Sequence, residues 1–329
     1  MDNLTHSLVG LYLARTGFRE LTPRGTAILL LAANAPDFDV VSLLGGSETY
    51  IVWHRHITHS LIAMPLMALL TVAIVRVLGR EPLRWWNAFL IALMGVASHL
   101  LLDMTNIYGV RLLLPFSGQW FHWDITPVVD FSIWGILLLG IAAPALARLV
   151  GSEIGDRKNT GGEGGWAVVA LFLLMSYDYG RSILHDRAAA VVDAHRYNGL
   201  TPRRSDAFPT ANPMVWTGMA ELSNAYVQVP VDLRGNFHLN DAETFFKAER
   251  TGSIEAALRT SAFRSFLTFV QYPLWISEPV ADEKGNTRVQ LLDLRFGNPR
   301  NVGFEATALV SDRGQVIDSS FGMGGARPK

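Results

Sequence analysis

The sequence predicts a mainly α-helical membrane protein: a polytopic transmembrane bundle of four to six spans or half-spans over residues 1–180, followed by a small α+β soluble domain over 181–329. Three observations predict it. Half of the 329 residues are hydrophobic and the mean hydropathy is +0.23, high for a soluble chain of this size. The long apolar runs fall before residue 180, whereas the remainder has mixed charge and short alternating segments. Several of those runs approach the roughly 20 residues that a helix needs to cross a hydrocarbon core.

The runs 61–78 (LIAMPLMALLTVAIVRVL), 87–102 (NAFLIALMGVASHLLL) and 128–150 (VVDFSIWGILLLGIAAPALARLV) are predicted spans. A fourth, 166–180 (WAVVALFLLMSYDYG), is shorter but has aromatic residues at each end, where interfacial anchors sit. The stretches 4–17 and 25–36 are too short for certain spans and are expected to form a helical hairpin packed inside the bundle. Lys and Arg in short loops are retained on the cytoplasmic side. Arg15, Arg19, Arg24, Arg76, Arg80, Arg84, Arg148, Arg157 and Lys158 fall in one set of connecting segments, and only Arg55 and Arg111 in the alternate set, 36–59 and 103–127. The alternate set, and the C-terminal domain after the last span, are therefore expected outside the cytoplasm, in a multi-pass protein of the bacterial inner membrane.

Within 181–329, strand-like runs occur at 225–231, 266–276, 287–294 and 303–310, with EKGN and DRGQ as turn signals and helical patterns near 241–250 and 253–262. GGEGG at 161–165 lacks the Lys-Ser/Thr and the preceding strand of a phosphate-binding loop. A net charge of −1 and the lack of a basic stripe argue against nucleic acid as a partner. With no cysteine, any metal must be held by His, Asp, Glu or neutral oxygen donors. The N-terminus lacks the basic region and cleavage site of a secretory signal, so insertion is expected to rely on the internal apolar segments.

Six of the nine histidines lie in the first 122 residues, and they sit at span ends. His54, His56 and His59 (HRHITHS) precede one span, His99 and Asp103 close the next, and His122 and Asp124 (FHWDITP) precede the third. Under the charge-derived topology Asp37 and Asp39 of APDFD reach the same face, and so do Asp2 and His6 if 4–17 is a short inward helix. His99 and Asp103 are i and i+4, so a helix projects both from one face. Asp37 and Asp39 share a side if their segment is extended, and His56 and His59 converge if a helix starts there. Ionisable groups at span ends are expensive in lipid and functional by default. Imidazole with carboxylate suits zinc, manganese or iron, and one or two such ions activate water for hydrolysis. Asp130 reads as a helix cap or the partner of an arginine. His185, His195 and His238 read as ordinary residues, and the tryptophans flanking the spans as interfacial belts.

The ordered set MDNLTHSLVG (1–10), APDFD (35–39), HRHITHS (54–60), SHLLLDMTNIYGVRLLLPF (98–116) and FHWD (121–124) resembles the bacterial YdjM-like membrane-bound metal-dependent hydrolases, also described as LexA-binding, inner-membrane-associated hydrolases. The resemblance covers about the first 180 residues, and VQLLDLRFG at 289–297 looks like the extension of longer members. It implies that His6, Asp37, Asp39, His56, His59, His99, Asp103 and Asp124 are candidates for metal binding and catalysis, with His54 as the alternative to His56. The expected activity is a hydrolase with one or two divalent ions, zinc or manganese. His6, Asp37, Asp39, His56, His59, His99 and Asp103 would be ligands, and Asp124 or His122 would orient water or act as general base. A site at the lipid bilayer boundary favours an amphiphilic small-molecule substrate acted on at an ester or phosphoester. The rival expectations are a metal-handling or transport protein and a membrane-anchored interaction module. A cytoplasmic LexA-type protein partner does not sit with an outward C-terminal domain.

Overall fold

The structure, a computed structural model, describes residues 1–79, 81–153, 162–280 and 285–324. Arg80, Arg157, Lys158 and Gly161, and Glu283 and Lys284 of the EKGN turn, lie outside the described residues.

The N-terminal half is a helical bundle. Asp2 caps α1 (Asn3–Arg15) by accepting the backbone N–H of Thr5. The chain returns as α2 (Gly25–Ala32), bends by 49° into a 3₁₀ segment (Pro36–Gly45), and enters α3 (Ser47–Trp53). A single 3₁₀ turn (Ile57–His59) leads into α4 (Met64–Leu78), followed by α5 (Trp85–Thr105), α6 (Phe131–Glu153) and α7 (Glu163–Asp193). Asp130 caps α6 through the N–H groups of Ser132 and Ile133, as its sequence position implied. Among the described residues three helices, α5, α6 and α7, are long and apolar enough to cross a membrane, and the number rises to five if each bent pair counts as one span.

The short α1 and α2 lie inside this bundle, against each other and against α5. Small residues allow that approach: a Cβ on Gly95 would stand 2.7 Å from the Ala32 Cβ, and one on Gly10 2.9 Å from the Leu29 carbonyl oxygen. By contrast, only 17% of the apolar window of α6 is buried, so Leu139, Leu146 and their neighbours face outward, as a lipid-facing helix requires. The described basic connections gather at one end: Arg148 pairs with Glu163 at 2.6 Å, Arg19 stands 4.0 Å from the same carboxylate, and the Arg84 N–H reaches Thr22 Oγ1 at 3.0 Å. Because α1 runs from its cap Asp2 to Arg15, and α5 runs from Trp85 to Thr105 with Asp103 in its last turn, the acidic and histidine-rich segments lie at the other end.

The C-terminal part holds two antiparallel four-stranded sheets, each ordered as the strands occur in the chain. The first comprises β1 (Arg204–Pro209), β2 (Val215–Glu221), β3 (Ala225–Asp232) and β4 (Glu243–Phe246), and it packs on the last turns of α7 through Ala188 and Val192. After α8 (Gly252–Ala257) and α9 (Ser261–Leu267) come β5 (Pro273–Pro279), β6 (Thr287–Asp293), β7 (Phe304–Val310) and β8 (Val316–Met323). The helix expected near 241–250 is instead β4, because Thr244, Phe245 and Phe246 find cross-strand partners in Val227, Tyr226 and Ala225. The strand expected over 266–276 begins only at Pro273, since Ser261–Leu267 is helical with Thr260 as its cap.

The core of the second sheet does not stop at the domain edge. Phe263, Phe266, Leu291 and Ala306 pack in one cluster with Ile51 of α3 and Tyr108, from the membrane half. Polar bonds fix the same seam: Arg111 Nη2 and Trp120 Nε1 both donate to the Thr268 carbonyl at 2.8 Å, and Ser47 Oγ donates to the Phe321 carbonyl at 2.7 Å. The C-terminal domain is therefore seated on the end of the bundle that carries the His/Asp segments.

Candidate metal centre

Four chain segments converge at this end, each by a local cause. The last turns of α5 present His99 and Asp103 inward, both fully buried. His99 Nδ1 donates at 2.7 Å to the carbonyl of Ala33, the C-cap of α2, which the helix leaves free. The bend after α2 carries Asp37 and Asp39 in the 3₁₀ segment, so the extended geometry expected for APDFD is replaced by a tight helical turn. Beyond α3 the chain turns at Arg55, whose φ of +55° is held by its N–H bonding to Asp39 Oδ2 at 2.8 Å. That turn places His54 against Asp39, and the next 3₁₀ turn delivers the buried His59.

Asp37, His59, His99 and Asp103 bring one donor atom each into a single group. His59 Nε2 is 3.4 Å from Asp37 Oδ1, 3.4 Å from Asp103 Oδ2 and 3.2 Å from His99 Nε2. His99 Nε2 is 3.6 Å from Asp37 Oδ1 and 3.4 Å from Asp103 Oδ2. Donors about 2.0–2.1 Å from a tetrahedral ion stand about 3.3–3.4 Å apart, so these separations are those of a coordination sphere. The tautomers agree. His99 Nδ1 carries its proton because its acceptor is a carbonyl, and His59 Nδ1 stands 3.3 Å from the carboxylate of Asp39. Both Nε2 lone pairs then face each other beside two carboxylates, one of whose oxygens, Asp103 Oδ2, has no hydrogen-bond donor. The cluster can hold a metal ion, and its donor set of two imidazoles and two carboxylates fits zinc or manganese.

The surrounding groups orient these donors. Asp39 is saturated by hydrogen bonds: Oδ1 meets His54 Nδ1 at 2.8 Å, and Oδ2 accepts from Arg55 N and from Thr58 Oγ1 at 2.9 Å. It therefore positions His59, although Asp37, Asp39 and His54 also form a second group at metal-ligand spacing. Arg55 Nη2 donates to Asp103 Oδ1 at 2.9 Å, and the Met1 amino group contacts the same oxygen.

Several predicted residues lie outside that group of four. His6 stacks on His99 with ring centroids 3.8 Å apart and comes within 3.4 Å of Asp103 Oδ1, but it is not one of the four converging donors. His56 packs edge-on against Trp53, outside both donor groups, because the turn at Arg55 sends it away from Asp39. His54, the alternative to His56, stands instead in the second group with Asp37 and Asp39. The expected base pair, His122 and Asp124, is bonded to itself at 2.7 Å, and among the described residues neither joins a donor group or lines the cavity beside the site. The backbone around them is tied to the end of α5, the N–H groups of Trp123 and Ile125 donating to the carbonyls of Met104 and Thr105 at 2.7 and 2.9 Å. Sequence reasoning passed over Arg55 and Ala33, whose roles depend on contacts across the fold.

A cavity of 660 Å³ opens beside the centre, lined by Asp37, His54, Arg55 and Tyr108 and by Phe296 and Phe304 of the C-terminal domain. Burial pushes the Tyr108 phenol above its ordinary range, so it stays a neutral hydroxyl.

A family profile described as "YdjM inner membrane protein" matches residues 1–183. The chain is also 24% identical over 317 residues, covering 93% of this chain and 90% of its relative, to a protein of Bacillus subtilis (strain 168) described as "Uncharacterized protein YfhP". No solved structure matches.

Proposed function

This chain belongs to the YdjM inner membrane protein family, and we propose that it is a membrane-bound hydrolase that uses one divalent metal ion to cleave an ester or phosphoester. The observation that carries the reading is the set of four donor atoms from Asp37, His59, His99 and Asp103 at coordination-sphere spacing. A single ion is favoured because the outward oxygen of Asp103 is occupied by Arg55 and both oxygens of Asp39 are taken by hydrogen bonds. Bound there, zinc or manganese would supply a Lewis acid and lower the pKa of water enough to make it a nucleophile near neutral pH.

The chain's own residues divide the remaining work. Asp37 is the donor that lines the cavity, so water and substrate approach on its side. His54 also lines the cavity, and its Nδ1–H is tied to Asp39, which leaves Nε2 free as a base. His54 Nε2 takes the proton of the attacking water as the new bond to carbon or phosphorus forms. It returns that proton to the departing oxygen as the ester bond breaks. The buried walls limit competing water.

The charge distribution supports an extracytoplasmic site: Arg15, Arg19, Arg24, Arg76, Arg84 and Arg148 lie at the end of the bundle away from the donors.

Removing the metal with a chelator from the full-length protein in detergent should lower hydrolysis of a chromogenic ester or phosphodiester by roughly a hundredfold or more. The reason is that the pKa of the attacking water would return from about 7 to about 16. Added zinc or manganese should restore it. Turnover indifferent to chelation, or no turnover of either bond type by metal-loaded protein, would refute the reading.

A further inference from the structure

Every third residue of a 3₁₀ helix falls on one face, and Pro36–Gly45 presents three faces of different chemistry. Pro36, Asp39 and Ser42 turn into the protein: Pro36 and the Ser42 hydroxyl are buried, and Asp39 is tied to His54 and Arg55. Asp37, Val40 and Leu43 all line the cavity. Phe38, Val41 and Leu44 make the third face, and all three are exposed, Leu44 by 91%. The cavity face is a track that leads outward from the metal centre, because Asp37 is one of the four donors whereas Val40 and Leu43 are each about half exposed. At a rise of about 2 Å per residue, Asp37 and Leu43 stand about 12 Å apart along it.

Residues that line the cavity and yet remain exposed mark its mouth. Among the described residues these are Asn3, Val40, Leu43 and Val128 of the membrane half and Gly324 of the C-terminal domain, and none of them carries a charge. Mouths that collect ionic substrates from water are lined with charge, and this one is not. The apolar surface also runs on from the mouth. Beyond Val128 it passes through the exposed Val129 and Phe131 onto α6, whose Leu139 and Leu146 face lipid. The mouth therefore stands at the head of a lipid-facing helix, and the face of Phe38, Val41 and Leu44 calls for the same apolar medium.

Building on the hydrolase reading, we infer that the cavity is entered sideways from the bilayer and that its substrate is a lipid of the leaflet meeting this end of the bundle. Phe38, Val41 and Leu44 are embedded in that leaflet and form one lip of the entrance. An acyl chain lies along Leu43 and Val40, which brings the ester or phosphoester of the same lipid to Asp37. Phe296, Phe304 and Met323 complete the apolar lining, so the C-terminal domain holds the part of the lipid that has left the bilayer.

The chain has no cysteine, so a single introduced thiol can carry a spin label. In full-length protein reconstituted into vesicles of phosphatidylethanolamine and phosphatidylglycerol, labels on Val41→Cys and Leu44→Cys should be relaxed by oxygen, which concentrates in hydrocarbon, and not by a water-soluble nickel chelate. A label on Ile317→Cys, at an exposed position of β8, should show the reverse. In the same vesicles a phospholipid with a diazirine in its acyl chain should, on illumination, label the segment from Phe296 to Phe304 as well as α6. Leu43→Trp, which narrows the mouth, should lose most of the labelling at Phe296–Phe304 and keep that of α6, whose labelling also reports an intact bundle. Labels at 41 and 44 reached by nickel, or shielded from both reagents as by a second protein surface, would overturn the proposal, and so would labelling confined to α6. Neither measurement needs turnover. Protein that holds no metal yet is labelled inside the cavity would sink the hydrolase reading and keep this one, and metal-dependent turnover by a protein labelled on α6 alone would do the reverse.

Discussion

Replacing Asp103 with alanine is expected to empty the metal centre and to destabilise the protein by about 3–5 kcal/mol, the cost of leaving a buried charge without its partner. Asp103 is completely buried and contacts His59 and His99 through Oδ2 and Arg55 through Oδ1. Its loss removes a donor and strands the Arg55 guanidinium, whose remaining acceptors are Asn106 Oδ1 and the Gly109 carbonyl. The two consequences separate in a double variant. Arg55→Leu with Asp103→Leu removes both charges, so thermal stability should recover much of its loss while metal content stays near zero. Elemental analysis and a melting curve on purified protein read both quantities. A single Asp103→Ala variant that retains its metal, or melts like wild type, contradicts the placement of this carboxylate.

Asp293→Ala is expected to have a comparable effect on stability from outside the centre. Asp293 and Arg295 pair at 2.7 Å with both side chains fully buried, and Arg295 then donates to the carbonyls of Ile107 and Phe269 at 2.9 and 3.0 Å. Ile107 belongs to the membrane half, so this arginine joins the second sheet to the wall of the cavity. Without Asp293 its charge is left with neutral carbonyls alone, again a loss of about 3–5 kcal/mol. The melting temperature should fall by roughly 10 °C, with limited proteolysis releasing C-terminal fragments before the helices are cut. Unchanged melting would mean that the seam does not depend on this pair.

The His99–Asp103 pair was legible because it needs only helical spacing on one span, and α5 supplies it. The membrane runs were equally plain from length and hydropathy, and α5, α6 and α7 are each long and apolar enough to cross, whereas the run at 61–78 becomes the 15-residue α4, which reaches that length only together with the segment before it, bent by 90°. The choice between His54 and His56 was not legible. It turns on the positive φ of Arg55, a conformation that an arginine adopts only because Asp39, sixteen residues earlier, holds its N–H. Asp37 and Asp39 do both serve the centre, but through a 3₁₀ turn in which one faces the donor group and the other supports His59 and His54, not through extended backbone. His122 and Asp124 matched the sequence pattern of a site residue, yet their side chains bond to each other and their backbone is tied to the end of α5. β4 read as helix because its four residues become a strand only once β3 offers an edge. The seam between the domains was beyond sequence reasoning, since Ile51 and Tyr108 meet Phe263 and Phe266 only after both halves have folded.

X-ray absorption at the zinc edge of reconstituted full-length protein tests the central claim most directly. Asp37, His59, His99 and Asp103 should give one zinc per chain, with a first shell of nitrogen and oxygen at about 2.0–2.1 Å and outer scattering from two imidazoles. Zinc that is not retained, or a bound zinc with fewer than two imidazoles around it, would contradict the account.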